Sequence, residues 1–381
     1  MNYIGSKRTL MGFLYEIIQG VTGYEDDKGY VFADLFAGTS TVGSFFRNLG
    51  WNVISNDVQY YSYVLAKHYI ENDNSVRKDL FNYFNHLSGI EGFIYNNYCQ
   101  GSGSGRNYFT DGNGKRCDAI RTELERMHLS KEIDDSTYFF ILASLINSID
   151  KYANTASVYG AFLKQIKKSA QKEFILEPLK IIEGIKGKAF NENANDVIKH
   201  ISGDVLYLDP PYNARQYCSN YHMLETIAKY DNPILSGTTG TRPLGAQKSE
   251  FCSKANVGKA FEDIIANANF KYIFLSYNNE GLMSLDTIKE IMSKYGNYFF
   301  FTKEYRRFKA DTAEAICCFS LSVIPSDFIF SAFAYRAFEI LSKLLLISDF
   351  HIPPLLKLEF VIYVPKTSKT LSAVNPEVFT L

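Results

Sequence analysis

The sequence lacks most of the devices that define small stapled or metal-built proteins. Its six cysteines (Cys99, Cys117, Cys218, Cys252, Cys317, Cys318) include no C-x-x-C pair and no framework spacing, which excludes a disulfide scaffold and a zinc ribbon. No two histidines stand at metal-ligand spacing, so no metal is expected. Charge of one sign is missing too: 40 basic residues meet 41 acidic ones, for a formal net charge of -1. That excludes a protein that coats nucleic acid through its whole surface, and any such site must be a local patch. Long apolar runs are absent, because Asp327, Arg336, Glu339, Lys343 and Asp349 interrupt the apolar C-terminal stretch, and no membrane span is expected. The first eight residues have no apolar core of a signal peptide. A reducing cytoplasm is the simplest compartment.

What is present is the composition of a core-forming protein. Of 381 residues, 46% are hydrophobic and 21% charged, enough for one large domain with an insertion or for two ordinary domains. The 27 Tyr and 30 Phe suit base stacking and a large core equally well.

Periodicity divides the chain into three regions. Val31-Phe32-Ala33-Asp34-Leu35 reads as a strand, Phe36-Ala37-Gly38-Thr39-Ser40 as a turn, 42–49 as a helix and 51–55 as a second strand closing on Asn56-Asp57. This is a βαβ unit, which implies a parallel sheet with a right-handed crossover. From about residue 69 to 188 helical spacing takes over, at 120–127, 136–149 and 161–170, around a glycine-rich loop, Gly101-Ser102-Gly103-Ser104-Gly105-Arg106. Strand signals return at 205–208 and 272–276. After Ala310 the composition turns apolar, and this tail has no assigned role.

Two motifs carry chemistry. Asp209-Pro210-Pro211-Tyr212 directly follows the apolar strand 205–208, where ligands of open parallel sheets bind. An exocyclic base amine is a poor nucleophile because its lone pair is delocalised into the ring. A carboxylate such as Asp209 accepting one N–H, and the Pro210 carbonyl accepting the other, would localise that pair. The two prolines fix φ and remove donors, and Tyr212 offers a face on which an extruded base can stack. The second motif is the Gly38 turn with Asp57 ending the next strand, a spacing that lets the backbone approach a nucleotide while an acid accepts ribose hydroxyls. With no complete G-x-G-x-x-G, it points to an adenosine ligand smaller than a dinucleotide.

Together these motifs resemble the alpha-group DNA adenine N6-methyltransferases, which include Dam-like enzymes and many type II restriction-modification methylases. The resemblance covers residues 2–311 in the family's motif order. Asn2-Tyr3-Ile4-Gly5-Ser6-Lys7 looks like the N-terminal segment whose aromatic and lysine hold the methionine end of the cofactor. The stretch 34–43 looks like the cofactor loop, Asn56-Asp57 like the ribose contact, and Asn195-Asp196 like the border of the cofactor's adenine. The sequences 213–217, 220–222, 276–281 and 305–309 are similar to one branch of the type II enzymes. Ser40 stands where the family commonly has a second glycine, and the apolar tail departs from the family's charged C-terminus.

The resemblance implies a Rossmann-like α/β fold, formed by residues 1–68 and 189–324, with a helical target-recognition insertion at 69–188 and an atypical tail at 325–381. It implies S-adenosylmethionine held by Tyr3, Lys7, Asp34, Phe36, Gly38, Thr39, Asp57, Asn195, Asp196 and Asp209, with Asp209, Pro210, Pro211 and Tyr212 as the catalytic tetrapeptide. Double-stranded DNA would be met by Arg106, Arg116, Lys164, Arg215, Tyr217, Arg306 and Arg307, with phosphates neutralised by basic side chains and sequence read at base edges. Lys164, Lys167 and Lys168 are expected together on a helix. A monomer paired with a restriction endonuclease is expected. Two rivals remain open: an RNA base-amine methyltransferase with a similar tetrapeptide, and an inactive DNA-binding protein.

Overall fold

The computed structural model describes residue 3 and residues 6–72, 76–278, 280–305 and 315–323, the stretches 302–305 and 315–323 as main chain only. The tail at 325–381, with Asn2, Arg306 and Arg307, lies outside these residues. Seven strands form one sheet: β1 (Val31–Asp34), β2 (Asn52–Asn56), β3 (Lys188–Phe190), β4 (Ser202–Leu208), β5 (Asn269–Asn278), β6 (Asn297–Tyr305) and β7 (Ala315–Val323). Their order is β3-β2-β1-β4-β5-β7-β6. The pairs from β3 through β5 are parallel, and β7 runs antiparallel to both β5 and β6. Chain progression reverses between β1 and β4, and at such a switch point the loops diverge and leave a crevice at the strands' carboxyl ends.

The central strands are apolar throughout because both faces are covered. On one face Phe32, Val53, Val205 and Tyr207 pack with Trp51 and Phe46 under the helices Met11–Thr22 and Thr41–Asn48. On the other, Leu35, Leu206, Leu208, Ile273 and Leu275 meet the helices Val257–Asn267 and Leu285–Tyr295. The helix Met11–Thr22 stops at Gly23, whose φ of 67° returns its N–H to the Gln19 carbonyl, an arrangement that suits a residue without Cβ.

The stretch 69–188 contributes helices at Leu80–Asn85, Phe93–Tyr98, Asp111–Leu129 and Asp135–Asp150. The two long ones carry N-caps, Thr110 accepting from the Asn113 N–H and Asp134 from the Thr137 N–H, each contributing about 1 kcal/mol. Their core is continuous with the rest of the protein: Tyr61, Val64 and Leu65 of the helix Tyr60–Ala66, and Met223, Leu224 and Ile227 of the helix His222–Lys229, belong to the same buried cluster.

The expected helix at 161–170 is not formed; the segment is irregular. Two asparagines take its main-chain partners. Asn154 accepts the Lys167 N–H and donates to the Leu163 carbonyl, and Asn107 donates to the carbonyls of Leu163 and Lys164. Side-chain amides have replaced the i to i−4 bonds, so Lys164, Lys167 and Lys168 share no helix face.

Arg47 is the most deeply buried arginine among the described residues, 1% exposed. Its guanidinium donates to the carbonyls of Ile185, Tyr69 and Asn72 at 3.0, 2.8 and 2.6 Å and so stitches both ends of the insertion to the helix Thr41–Asn48. Arg47→Ala removes three donated hydrogen bonds, one of them fully buried. It should destabilise the protein by about 3 kcal/mol or more; a urea midpoint unchanged from wild type would refute that assignment.

Candidate active site

At the carboxyl end of β1 the chain must turn sharply into the helix Thr41–Asn48. It does so through two left-handed residues, Gly38 (φ 52°) and Ser40 (φ 56°). The left-handed backbone at Ser40 explains the family's usual glycine there; serine holds it at a cost of about 1 kcal/mol. At Gly38 a Cβ would stand 3.0 Å from Cε1 of Tyr3, so the aromatic ring lies directly on the turn. That ring also stacks on Tyr221 at 4.6 Å and 23°, and its hydroxyl accepts from Tyr61 at 3.2 Å.

Asp57, just past β2, clamps the turn. Its Oδ2 accepts the Gly38 N–H and its Oδ1 the Gln59 N–H, both at 2.8 Å. Burial pushes its carboxyl up to about 6 despite these two bonds, which lower it. Asp34, the last residue of β1, is almost fully buried. Burial first, then the neighbouring charges of Asp209 and Asp57, push its carboxyl up to about 8. Its Oδ1 has no hydrogen-bond partner.

Asp209 closes β4 on the other side of the crevice. Lys7 Nζ donates to its Oδ2 at 2.6 Å. Burial raises the Asp209 carboxyl and the Lys7 charge opposes that rise, leaving it above the usual carboxylate range. Beyond it, Tyr212 is buried and its carbonyl accepts the Leu282 N–H at 3.0 Å, which anchors the tetrapeptide to the β5 side.

These groups surround two adjoining cavities. The larger, about 900 Å³ including its open mouth, is lined by Phe36, Gly38, Asp57, Glu192, Asn193 and Asn195. Asp209, Pro211, Tyr212, Gln216, Tyr217 and residues 247–251 complete its lining. The smaller, about 300 Å³, is lined by Lys7, Asp34, Thr39, Thr41 and Tyr207. Tyr3, Phe36, Gly38 and Asp209 border both, so the acid sits where the two meet.

The structure therefore brings Tyr3, Lys7, Asp34, Phe36, Gly38, Thr39, Asp57, Asn195, Asp209, Pro211, Tyr212 and Tyr217 together. Pro210 is buried and lines neither cavity. Asp196 also lines neither; it is exposed and 3.6 Å from Lys199. Arg106 is spent on the carbonyls of Asn97, Gly237 and Thr238. Arg116 is spent on the Phe174 carbonyl and Glu173. Lys164 and Arg215 are exposed and away from the cavity lining. His222 is buried against the Tyr159 carbonyl at 2.9 Å, and burial brings its imidazole down to about 4. Residues 247–251, Glu192 and Asn193 escaped the sequence reading: they lie in segments without periodicity, and no motif marks them.

A sheet of this order, with an acid-clamped glycine turn after β1 and an acid–proline–proline–tyrosine segment after β4, is that of a Rossmann-like methyltransferase fold. The chain belongs to the D12 class N6 adenine-specific DNA methyltransferases, whose family model matches residues 3–291. It is 51% identical over 318 residues to the type II methyltransferase M.NlaIII of Neisseria lactamica, covering 82% of this chain and 94% of that protein. It is 35% identical over 323 residues to M.CviAII of Paramecium bursaria Chlorella virus 1, 81% of this chain and 93% of that one. Similarity to M.FokI of Planomicrobium okeanokoites is 39% over 326 residues, 81% of this chain but only 50% of the longer relative. The reaction is methylation of adenine N6 in DNA. No helix among the described residues is long and apolar enough to cross a membrane.

Proposed function

We propose that this chain moves the methyl group of S-adenosylmethionine to an adenine extruded from double-stranded DNA, as the monomeric, cytoplasmic modification partner of a type II restriction endonuclease. The observation that carries this reading is the position of Asp209 at the junction of the two cavities, facing the Gly38 turn. One acid can then serve an amine arriving from one side while the donor is held on the other.

The residues present fit the donor. Asp34 Oδ1 is a buried acceptor without a partner on the wall of the smaller cavity, a complement for the ammonium of the methionine end. The larger cavity offers Phe36, Asp57 and Asn195 to the adenosine end, with Asp57 sharing oxygens already used by main-chain N–H groups. When bound, the sulfonium supplies a methyl group that is already activated, so orientation of the amine is the main task left to the protein. Asp209 accepts an N6–H and localises the nitrogen lone pair; Tyr212 and Pro211 give the purine a flat wall. DNA phosphates would be met by exposed cations such as Lys164 and Arg215.

Gly38→Val places a β-branched residue at φ 52° against the Tyr3 ring, a backbone region such residues avoid. Affinity for S-adenosylmethionine should fall by about tenfold or more, read by calorimetric titration; an unchanged dissociation constant would separate the turn from the donor site.

The whole reading is tested by sequencing chromosomal DNA from a host that expresses the full chain. N6-methyladenine should occur in one short sequence context. A host whose modified adenines do not rise above those of an Asp209→Ala control would overturn the proposal.

A further inference from the structure

Part of the wall of the larger cavity is a strap, residues 247–251, that belongs to no strand and no long helix. Short 3-10 turns at Gly245–Gln247 and Glu250–Cys252 bracket it. Side chains tie it to the fold. Gln216 grips Ser249 at two points: its Nε2 donates to the Ser249 carbonyl at 3.1 Å, and its Oε1 accepts the Ser249 N–H at 2.9 Å. Gln247 donates to the buried Glu225, and Gln59 reaches the Gln247 carbonyl at a long 3.5 Å. At its far end Phe251 lies edge-on to Phe36 of the cofactor turn, with ring centres 5.0 Å apart.

We propose that Gln216 is a positioning residue for methyl transfer: its amide pairs with Ser249 as a substitute for a ladder rung and fixes the strap, which lines the larger cavity together with Pro211 and Tyr212 and so bounds the space open to the adenine. The inference rests on the proposed function of this cavity and adds the element that holds its irregular wall in place. The chemistry of the grip is restrictive. Only a side chain with one donor and one acceptor on a planar group satisfies both main-chain atoms of one residue. Asparagine is one methylene too short to span the same gap, and glutamate lacks the donor until it is protonated. Gln216 stands four residues beyond Tyr212, so the segment that carries the tetrapeptide also holds the strap. A shift of the wall is transmitted directly to the reacting base.

The test uses the full chain and a duplex containing the methylated sequence found above. Gln216→Ala should lower kcat by up to about a hundredfold, the order that a misplacement of about 1 Å produces, while S-adenosylmethionine affinity stays within about threefold of wild type. Hydrogen exchange at the Ser249 amide should become fast. Gln216→Glu provides a readout that mere destabilisation does not move. Its carboxylate keeps the acceptor and lacks the donor, and protonation restores both. The ratio of its rate to the wild-type rate should therefore rise as pH falls from about 8 toward the ordinary glutamate range near about 4.3. Lys248 and Glu250 of the strap, with Asp57, Asp209 and Glu225 nearby, are common to both proteins, so their contributions largely cancel in that ratio.

Two results would overturn the inference: a Gln216→Ala enzyme with kcat within twofold of wild type, or a Gln216→Glu ratio flat with pH. Wild-type protein that methylates no DNA would instead count against the proposed function, so the two failures are distinguishable.

Discussion

Asp209→Ala should leave a folded protein that binds S-adenosylmethionine and transfers no methyl group, with kcat reduced by about a thousandfold or more. The expectation follows from where the acid sits. It directly follows β4, borders both cavities and pairs with Lys7 on the cavity wall. Removing it takes the acceptor from the amine without disturbing the Gly38 turn, which Asp57 clamps independently. Single-turnover assays with labelled donor, beside calorimetric titration of the same donor, separate the two effects. If binding and transfer disappear together, Asp209 is holding the donor site in shape and its chemical role falls.

Lys7→Met should move the acid side of the pH–rate profile to higher pH. Burial raises the Asp209 carboxyl, and the Lys7 ammonium at 2.6 Å is what opposes that rise. Without the cation, the neutral acid persists to higher pH, and a neutral acid does not serve as the acceptor. Transfer should therefore fall most on the acid side, by about tenfold or more, and recover as pH rises through the acid's new range. Assays at saturating donor exclude a contribution from weaker binding at the methionine end. A rate reduced by the same factor from about pH 6 to about pH 9 would mean that Lys7 acts on something other than the Asp209 charge.

The reaction centre was legible in the sequence because its two halves are attached to strong local signals. The continuous apolar runs of β1 and β4 can only be strands covered on both faces, and each ends in a residue pattern that regular structure does not tolerate: Gly38 at positive φ, and Pro210-Pro211. Spacing also marked 136–149, most of the helix Asp135–Asp150, but only 120–127 of the helix Asp111–Leu129, whose first turns carry glycine and polar residues. Where tertiary side-chain bonds decide the backbone, the pattern misleads. Residues 161–170 have helical spacing, yet Asn107 and Asn154, distant in sequence, take their main-chain partners. The strap at 247–251 is held by Gln216 and Glu225 and leaves no periodic trace. Arg106 and Arg116 looked available for DNA because sequence shows charge but not the carbonyls that charge satisfies.

The shared core bears on how such enzymes could be re-engineered. Because Tyr61, Val64, Leu65, Met223, Leu224 and Ile227 are packed into the same buried cluster as the helical insertion, residues 69–188 are not a cassette. A chimaera that swaps only that stretch for a relative's would meet foreign knobs along two host helices, and both parts would unfold as one cooperative block. Any replacement for that stretch would have to travel with the helices Tyr60–Ala66 and His222–Lys229 as matched parts.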